Sequence, residues 1–276
     1  MNKIKILIFV VLTTLSSLSI AQDNQATNTE TPKKKMHGNF YITWGYQRNG
    51  YSNSDIRFVN HNNGNNYDFT LHNAVAHEQP DFEDLLHRPI SVPQYVFNIG
   101  YMFNDKKDLG IELSWDHLKY VVTDNQILHV TGNINNTIYD ADMMVDTNFV
   151  HFEHTNGNNY LMASLVKRQK LYETKNGYVK VSAIGKFALG GLVPKTDSHI
   201  MGKHNDGPFQ LSGWVTGLFG GVKVDLFRYF FLEAAVKGCY ADYTNAIIHD
   251  KGKAIHSFWS VQYIADFGFN IPLSKN

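Results

Sequence analysis

Apolar and polar residues alternate with a period of two along most of this chain, and the pattern recurs in eight long segments. Successive side chains of a β-strand point to opposite faces, so this alternation predicts strands rather than helices. One face of each segment is apolar and rich in aromatic residues, and the other carries small or charged residues. The predicted strands are 39–48, 94–103, 109–121, 159–171, 178–191, 210–226, 229–243 and 257–270.

The connections between these strands alternate between short turns and long loops. The turns are 104–108, 173–177 and 227–229, and the long polar stretches are 49–93, 122–158, 192–209 and 244–256. Short turns at one end and long loops at the other are typical of outer-membrane barrels. A bilayer tolerates no open sheet edge, so the first and last strands must pair. The pattern predicts an all-β fold, a closed antiparallel up-and-down transmembrane β-barrel with short periplasmic turns and long outer loops.

The strand count depends on two of the long stretches, because each contains alternating pieces of its own. Residues 54–60 and 67–78 predict one hairpin, and residues 126–134 and 137–145 predict a second around Asn135-Asn136. If these hairpins crossed the membrane, the barrel would have ten or twelve strands. Asp140 and Asp142 fit poorly on a lipid-facing wall, so we expect eight strands, with the hairpins extending the wall above the membrane.

The N-terminus has the pattern of a secretory signal peptide. Lys3 and Lys5 precede an apolar core, and Ser19-Ile20-Ala21 forms a small-residue cleavage site. We therefore expect a signal peptide at 1–21, a disordered polar lead-in at 22–38, the barrel at 39–271 and a tail at 272–276.

The composition argues against one class of partner, nucleic acids, and against one source of stability, disulfide bonds. The net charge is +0, which argues against a nucleic-acid partner. Cys239 is the only cysteine, so the chain cannot form an intramolecular disulfide. Stability must therefore come from packing and from the membrane.

The faces opposite the apolar ones carry five acidic and five basic residues, and we expect these to point into the lumen. A buried charge persists only when it is paired, and an eight-stranded barrel has room for side chains but not for an open pore. The predicted lumen charge network is Glu112, Asp116, Arg168, Lys180, Lys186, Lys223, Asp225, Glu233, Lys237 and Asp266.

The outward faces contain all of the tryptophans, each toward the loop end of its strand. Indole rings favour membrane–water interfaces because they are apolar but can also donate a hydrogen bond. The predicted aromatic girdle is Trp44, Trp115, Trp214 and Trp259.

These features together resemble the small outer-membrane barrels of the OmpA-membrane-domain, OmpX and PagL type. The closing "VQYIADFGFNIPL" (261–273) is similar to the terminal strand that barrel-assembly machinery recognises, although seven residues follow Phe269. The resemblance covers residues 39–270. It implies a location in a Gram-negative outer membrane, contact with outer-membrane lipids and lipopolysaccharide, and insertion by barrel-assembly machinery.

Histidines concentrate on the predicted outer side of the barrel. Metal, haem or proton-sensitive chemistry is one interpretation, because imidazole is a common metal ligand and titrates near neutral pH. No tight chelating motif is present, so we predict no metal and no cofactor. The outer-side histidines are His61, His72, His77, His87, His117, His129, His151, His154, His199, His204, His249 and His256.

Catalysis has only weak candidates. The PagL-like resemblance implies a lipid A deacylase with a Ser/His pair, yet His256 and Ser257 are adjacent and face opposite sides of a strand. His117 is expected to face lipid near the outer interface. In "HFEH" (151–154), His151 and Glu153 share one face and His154 lies on the other. The candidate catalytic residues are His117, His151, Glu153, His256 and Ser257.

The favoured function is therefore structural or surface-interacting, with long outer loops that contact an extracellular ligand, a surface partner or lipopolysaccharide. The alternative is a lipid A- or phospholipid-modifying hydrolase. A narrow channel is the third reading, and the paired lumen argues against it.

Overall fold

The computed structural model describes residues 38–79, 93–103 and 108–273. The predicted signal peptide, the lead-in up to His37, most of the 104–108 turn, His87 and the last three residues of the tail lie outside the described residues. Within the described part of the chain, none of the helical segments has the length and apolar character that a membrane crossing requires.

Strands make up most of the described chain, with one short 3₁₀ turn at His249–Lys251. In chain order the strands are β1 (Asn39–Tyr51), β2 (Ser54–Asn60), β3 (Tyr67–Ala74), β4 (Ala76–His77), β5 (Tyr95–Met102), β6 (Leu109–Val122), β7 (Gln126–Ile134), β8 (Thr137–Val145), β9 (Val150–Glu173), β10 (Val179–Pro194), β11 (Asp197–Ile200), β12 (Lys203–Asp206), β13 (Gly213–Leu226), β14 (Phe230–Ile247) and β15 (Lys253–Pro272).

Eight of these strands form a closed antiparallel ring, as the sequence predicts. Their order is β1-β5-β6-β9-β10-β13-β14-β15, and β15 returns to pair with β1. The closing ladder runs from Asn39 opposite Pro272 to Tyr51 opposite Ser260. Each strand of the ring therefore has a partner on both sides, which satisfies the backbone groups inside a bilayer.

The two predicted hairpins extend the wall of the barrel and do not cross the membrane with it. The β2–β3 hairpin joins the sheet through β15, where Ile56 pairs with His256, and β7 and β8 follow on β3. The β7–β8 turn is Asn135-Asn136, with φ of 52° and 64°, as tight hairpins require. On the other side, β4 pairs with β6, and the β11–β12 hairpin pairs with β9.

Several ring strands are longer than predicted, mainly at this same end. β9 begins at Val150 instead of 159, and β15 begins at Lys253 instead of 257. The extra length pairs with the added hairpins, which lie far away in sequence. We call the combined structure the outer sheet: β2, β3, β7, β8, β11 and β12 with the upper ends of β6, β9, β14 and β15. Long connections mark this end as the external one.

The exterior of the ring below the outer sheet is a continuous apolar band. Leu113, Leu165 and Leu218 are each about two-thirds exposed (66%, 66% and 68%). The tryptophans of the predicted girdle all lie exposed on this exterior. Apolar exposure on this scale around a closed barrel is stable only against lipid, so the ring is a transmembrane barrel of the outer-membrane type.

The interior changes character between the two levels. Within the membrane band the buried residues include charged side chains, whereas the space enclosed by the outer sheet holds an apolar aromatic core. Phe58 of β2 packs edge-on against Phe152 of β9, with ring centroids 5.4 Å apart. Tyr120 of β6 stacks on Phe258 of β15 at 4.6 Å. This core binds the hairpins to the ring strands and fills the upper lumen.

Candidate functional site

The lower lumen brings three of the predicted charged residues into direct contact. Nζ of Lys186 lies 2.9 Å from Oε2 of Glu112 and 3.2 Å from Oε1 of Glu233. The hydroxyl of Tyr41 donates a hydrogen bond of 2.8 Å to the same Glu112 oxygen. The three charged side chains are at most 4% exposed, so this ion cluster is closed to water.

Other members of the predicted network pair separately around this cluster. Lys237 pairs with Asp116, and Lys223 lies 3.1 Å from Asp225 and donates to Asn270. Asp266 is buried opposite Glu233 in the β14–β15 ladder.

The last two members of the network lie at the periplasmic mouth. Arg168 pairs at 2.6 Å with Asp108, which the sequence reasoning did not include. Lys180 is only half-buried in a depression that Arg168, Glu173 and Asp225 also line. This end of the lumen is therefore wetter than the cluster around Lys186.

Above the ion cluster, two histidines meet inside the aromatic core. Nε2 of His154 lies 3.4 Å from Nε2 of His256, and Tyr243 stacks on both rings at 5.1 and 4.6 Å. Thr196 shares a 3.1 Å hydrogen bond with Nδ1 of His154. Burial lowers the pKa of His154 to about 3 and lowers that of His256 well below its ordinary value. Both imidazoles are therefore neutral at pH 7, and the pair helps to seal the upper lumen.

The outward face of β9, β11 and β12 carries acids and histidines in register. Glu153, Asp197 and Asp206 form one cross-strand row, and His151, His199 and His204 form the next. His204 bonds Asp197 at 3.0 Å, and the rings of His199 and His204 stack at 4.2 Å. We call this set of six residues the histidine–carboxylate face.

At the edge of this face, His151 lies between two acids. Its Nδ1 is 2.9 Å from Asp124 and its Nε2 is 3.5 Å from Glu153. The hydrogen bond with Glu153 is the main reason that the pKa of His151 is raised to about 9. Burial opposes ionisation of Glu153, but the bonds from His151 and Thr155 hold its pKa below the ordinary value. His151 is therefore cationic at neutral pH, and its positive charge is balanced by the carboxylates of Asp124 and Glu153.

A second outward row crosses β3, β7 and β8. Both ring nitrogens of His129 lie 3.0 Å from aspartates, Asp140 and Asp142. His72, opposite His129, is held between Asp55 at 3.1 Å and Thr131 at 2.7 Å. These charged pairs lie on the external face of the outer sheet. This position agrees with the expectation that the hairpins extend the wall above the membrane, where Asp140 and Asp142 do not face lipid.

The candidate catalytic residues do not converge on one place. His117 points outward but is not lipid-exposed as expected, because Tyr95 stacks flat on its ring at 4.9 Å and leaves it 7% exposed. His256 is buried in the upper core, whereas Ser257 lies on the opposite face of β15. Only His151 and Glu153 touch each other, and they form an ion pair.

Sequence reasoning missed Asp197 and Asp124 as partners of the outer histidines. The stretch 196–206, "TDSHIMGKHND", carries a weak signal, because Asp197 and His199 alternate with the buried Ser198 and Ile200. Met201-Gly202 is the tight turn of this hairpin, with φ of 48° and 78°. The short strands on either side have only four residues each, too few for alternation to distinguish them from a loop.

Comparisons with known proteins find similarity only among solved structures. No protein-family model matches the chain, and no curated protein matches it. Ail, the attachment invasion locus protein of Yersinia pestis, was solved in complex with the heparin analogue sucrose octasulfate. It is 12% identical, with 86% of this chain and 100% of that chain covered and a TM-score of 0.32.

Two further solved structures have similar values. Neisserial surface protein A is 11% identical over 83% of this chain and 96% of its own, with a TM-score of 0.34. The outer membrane protein OprG from Pseudomonas aeruginosa is 12% identical over 86% of this chain and 97% of its own, with a TM-score of 0.38. These structural neighbours are small outer-membrane β-barrel proteins, the type that the sequence resembles.

Proposed function

We propose that this outer-membrane barrel is a non-enzymatic anchor whose outer sheet is a binding surface for an extracellular ligand, a surface partner or lipopolysaccharide. The observation that carries the proposal is the packed aromatic core, which fixes the external hairpins to the barrel wall. Flexible loops lose conformational entropy when they bind, whereas strands held by a core have lost it during folding. A preorganised sheet is therefore suited to binding.

The core supports this proposal through contacts between elements that are distant along the chain. Phe69 of β3 stacks on Phe149, just before β9, at 5.5 Å. Phe152 of β9 also contacts His256 of β15 at 5.5 Å. Burial of each large aromatic side chain contributes about 1.5–3 kcal/mol, so a cluster of this kind stabilises the outer sheet as a folded unit.

The β7–β8 hairpin offers the most exposed apolar surface of the outer sheet. Ile127 and Met144 face each other across the hairpin and are 68% and 55% exposed, and Ile138 is 81% exposed. Among the described strands, β8 pairs only with β7, so its other edge is open to a partner. Between the apolar ends lies the charged row of His129, Asp140 and Asp142. A mixed apolar and charged face of this kind is typical of protein or glycolipid recognition.

We expect the double substitution Ile127→Ser and Met144→Ser to abolish ligand binding without unfolding the barrel, because both side chains are exposed. The probe is an array of purified lipopolysaccharide, glycans and extracellular-matrix proteins, read with the protein embedded in lipid nanodiscs. The matched control is Leu211→Ser, which removes another external apolar side chain that is 70% exposed.

The wild type should bind at least one member of the array, the double variant should lose that binding, and the control should keep it. Binding no different from empty nanodiscs would contradict the proposal, as would equal losses in the double variant and the control.

The two alternatives receive less support. A channel needs a continuous aqueous path, but the ion cluster around Lys186 and the aromatic core above it occupy successive levels of the lumen. A lipid A hydrolase needs a nucleophile and a base within hydrogen-bond reach. Among the described candidates, Ser257 lies on the opposite strand face from its neighbour His256, and His117 is covered by Tyr95.

A further inference from the structure

We infer that the histidine–carboxylate face binds a divalent transition-metal ion of the Zn²⁺ class through Asp197, His199 and His204. One ligand atom from each of these residues lies within 4.8 Å of the other two. The inference rests on the proposed function in one respect, since it names a ligand for the external surface of the outer sheet.

The ligand atoms are close to the separation that one ion requires. Zn²⁺ binds imidazole nitrogen and carboxylate oxygen at about 2.0–2.2 Å in tetrahedral geometry, which places the ligand atoms roughly 3–3.5 Å apart. Nε2 of His204 and Oδ1 of Asp197 already lie 3.0 Å apart. His199 offers a nitrogen within 4.8 Å of these two atoms, rotation of the side chains would bring it to the same point, and water would complete the coordination.

The backbone holds these residues together independently of any ion. Asp197 and His199 lie on β11, and His204 lies directly opposite His199 on β12. The two strands are joined by the tight Met201-Gly202 turn, and Ser198 and Ile200 anchor the hairpin with 0% exposure. Because the hairpin is already fixed, an ion would need to order only three side chains.

Both ring nitrogens of His199 are available, which distinguishes this set from the ion-paired His129 and His151. Within the described residues, no hydrogen bond engages the His199 ring, and its contacts are the stacked ring of His204 and the nearby ring of His151. His129 and His151, in contrast, each have both nitrogens against acids. These two are therefore ion-paired side chains and not ligands.

The charges around the site favour a cation. Glu153 and Asp206 flank Asp197 on the two neighbouring strands. The cationic His151 is balanced by Asp124 and Glu153, and Lys195 pairs with Asp206 at 2.8 Å. Two nitrogens and one oxygen are a donor set for Zn²⁺, Cu²⁺ or Ni²⁺, whereas Ca²⁺ and Mg²⁺ prefer oxygen ligands throughout.

The test is calorimetric titration of Zn²⁺ into the full refolded protein in detergent, with Ca²⁺ as the comparison ion. We expect one saturable Zn²⁺ site and no Ca²⁺ binding at that site. His204→Gln and Asp197→Asn should each weaken Zn²⁺ binding by at least roughly tenfold, because each removes a ligand. The matched control is His72→Gln on the second external row, which should leave the affinity unchanged. Circular dichroism should show that all three variants are folded.

Absence of Zn²⁺ binding by the folded wild type would overturn the inference. Unchanged affinity in both ligand variants, or a loss that follows His72→Gln instead, would do the same. These outcomes are separable from those of the proposed function, because array binding depends on the β7–β8 hairpin and can be repeated with a metal chelator in the buffer. Metal binding can therefore fail while ligand binding persists, and the reverse also holds.

Discussion

Replacement of Lys186 by methionine is expected to destabilise the barrel by about 3–5 kcal/mol, the cost of leaving a buried charge without its partner. Lys186 contacts both Glu112 and Glu233, and the buried Asp266 lies beside Glu233. Without the ammonium group, these carboxylates would face one another inside the lumen. Urea unfolding in detergent micelles, followed by tryptophan fluorescence, measures the loss.

The matched control is Lys180→Met at the wetter periplasmic mouth. Lys180 lies on the same inward face of β10 but is half-buried, so its loss should cost less than about 1 kcal/mol. In addition, Glu112→Gln introduced beside Lys186→Met should recover part of the stability, because it removes one unpaired carboxylate. Equal stability of the Lys186 and Lys180 variants would show that water reaches the cluster.

Acidification from pH 8 to pH 5 is expected to destabilise the outer sheet through His154 and His256. Burial lowers the pKa of His154 to about 3 and holds that of His256 well below the ordinary range. The unfolded chain takes up protons as the pH falls through about 6.5, whereas the folded pair does not. Stability is therefore fully present above about pH 6.5 and falls by about 1.4 kcal/mol per pH unit for each histidine below it.

Denaturant unfolding at several pH values, followed by near-ultraviolet circular dichroism of the aromatic core, measures this slope. The control is His256→Leu, which should remove about half of the slope whatever its effect at pH 8. His151 acts with the opposite sign, because its pKa is raised to about 9, so its contribution is fully present below about pH 6.5 and is lost as the pH rises through about 9. If the wild type and His256→Leu had the same slope between pH 7 and pH 5, the buried pair would not be the cause.

The membrane-spanning part of the fold was predictable because lipid imposes a strict rule on every residue. Leu113 and Phe187 must face outward, which fixes Glu112 and Lys186, their neighbours on the same strands, as inward residues without any knowledge of the neighbouring strands. Closure of the ring follows from the same requirement. Strand number and order could therefore be derived from alternation and from the lengths of the connections.

The outer sheet was less predictable because water imposes no such rule there. Phe58 and Phe152 lie in separate alternating or polar stretches, and only the pairing of β2 with β15 brings them together. His154 and His256 are 102 positions apart, and they meet inside the barrel from β9 and β15, which do not pair with each other. The histidine–carboxylate face likewise required the register of β11, β12 and the 150–158 part of β9, which are too short or too polar to be recognised as strands.

The charged lower lumen and the aromatic upper core have different structural roles. Ion pairs in the lower lumen allow charged side chains to be buried at the level of the membrane, and the aromatic core above them fixes the external strands. The binding surfaces that we propose all depend on this second level, because the β7–β8 and β11–β12 hairpins hold their shape only if the core is packed.

Hydrogen–deuterium exchange of the protein in lipid nanodiscs tests this claim most directly. We predict that the amides of β2, β3 and the 150–160 part of β9 exchange nearly as slowly as those of the membrane-spanning strands, since slow exchange reports packed, hydrogen-bonded structure. Exchange of these segments at the rate of unstructured loops, with the ring still protected, would contradict the account.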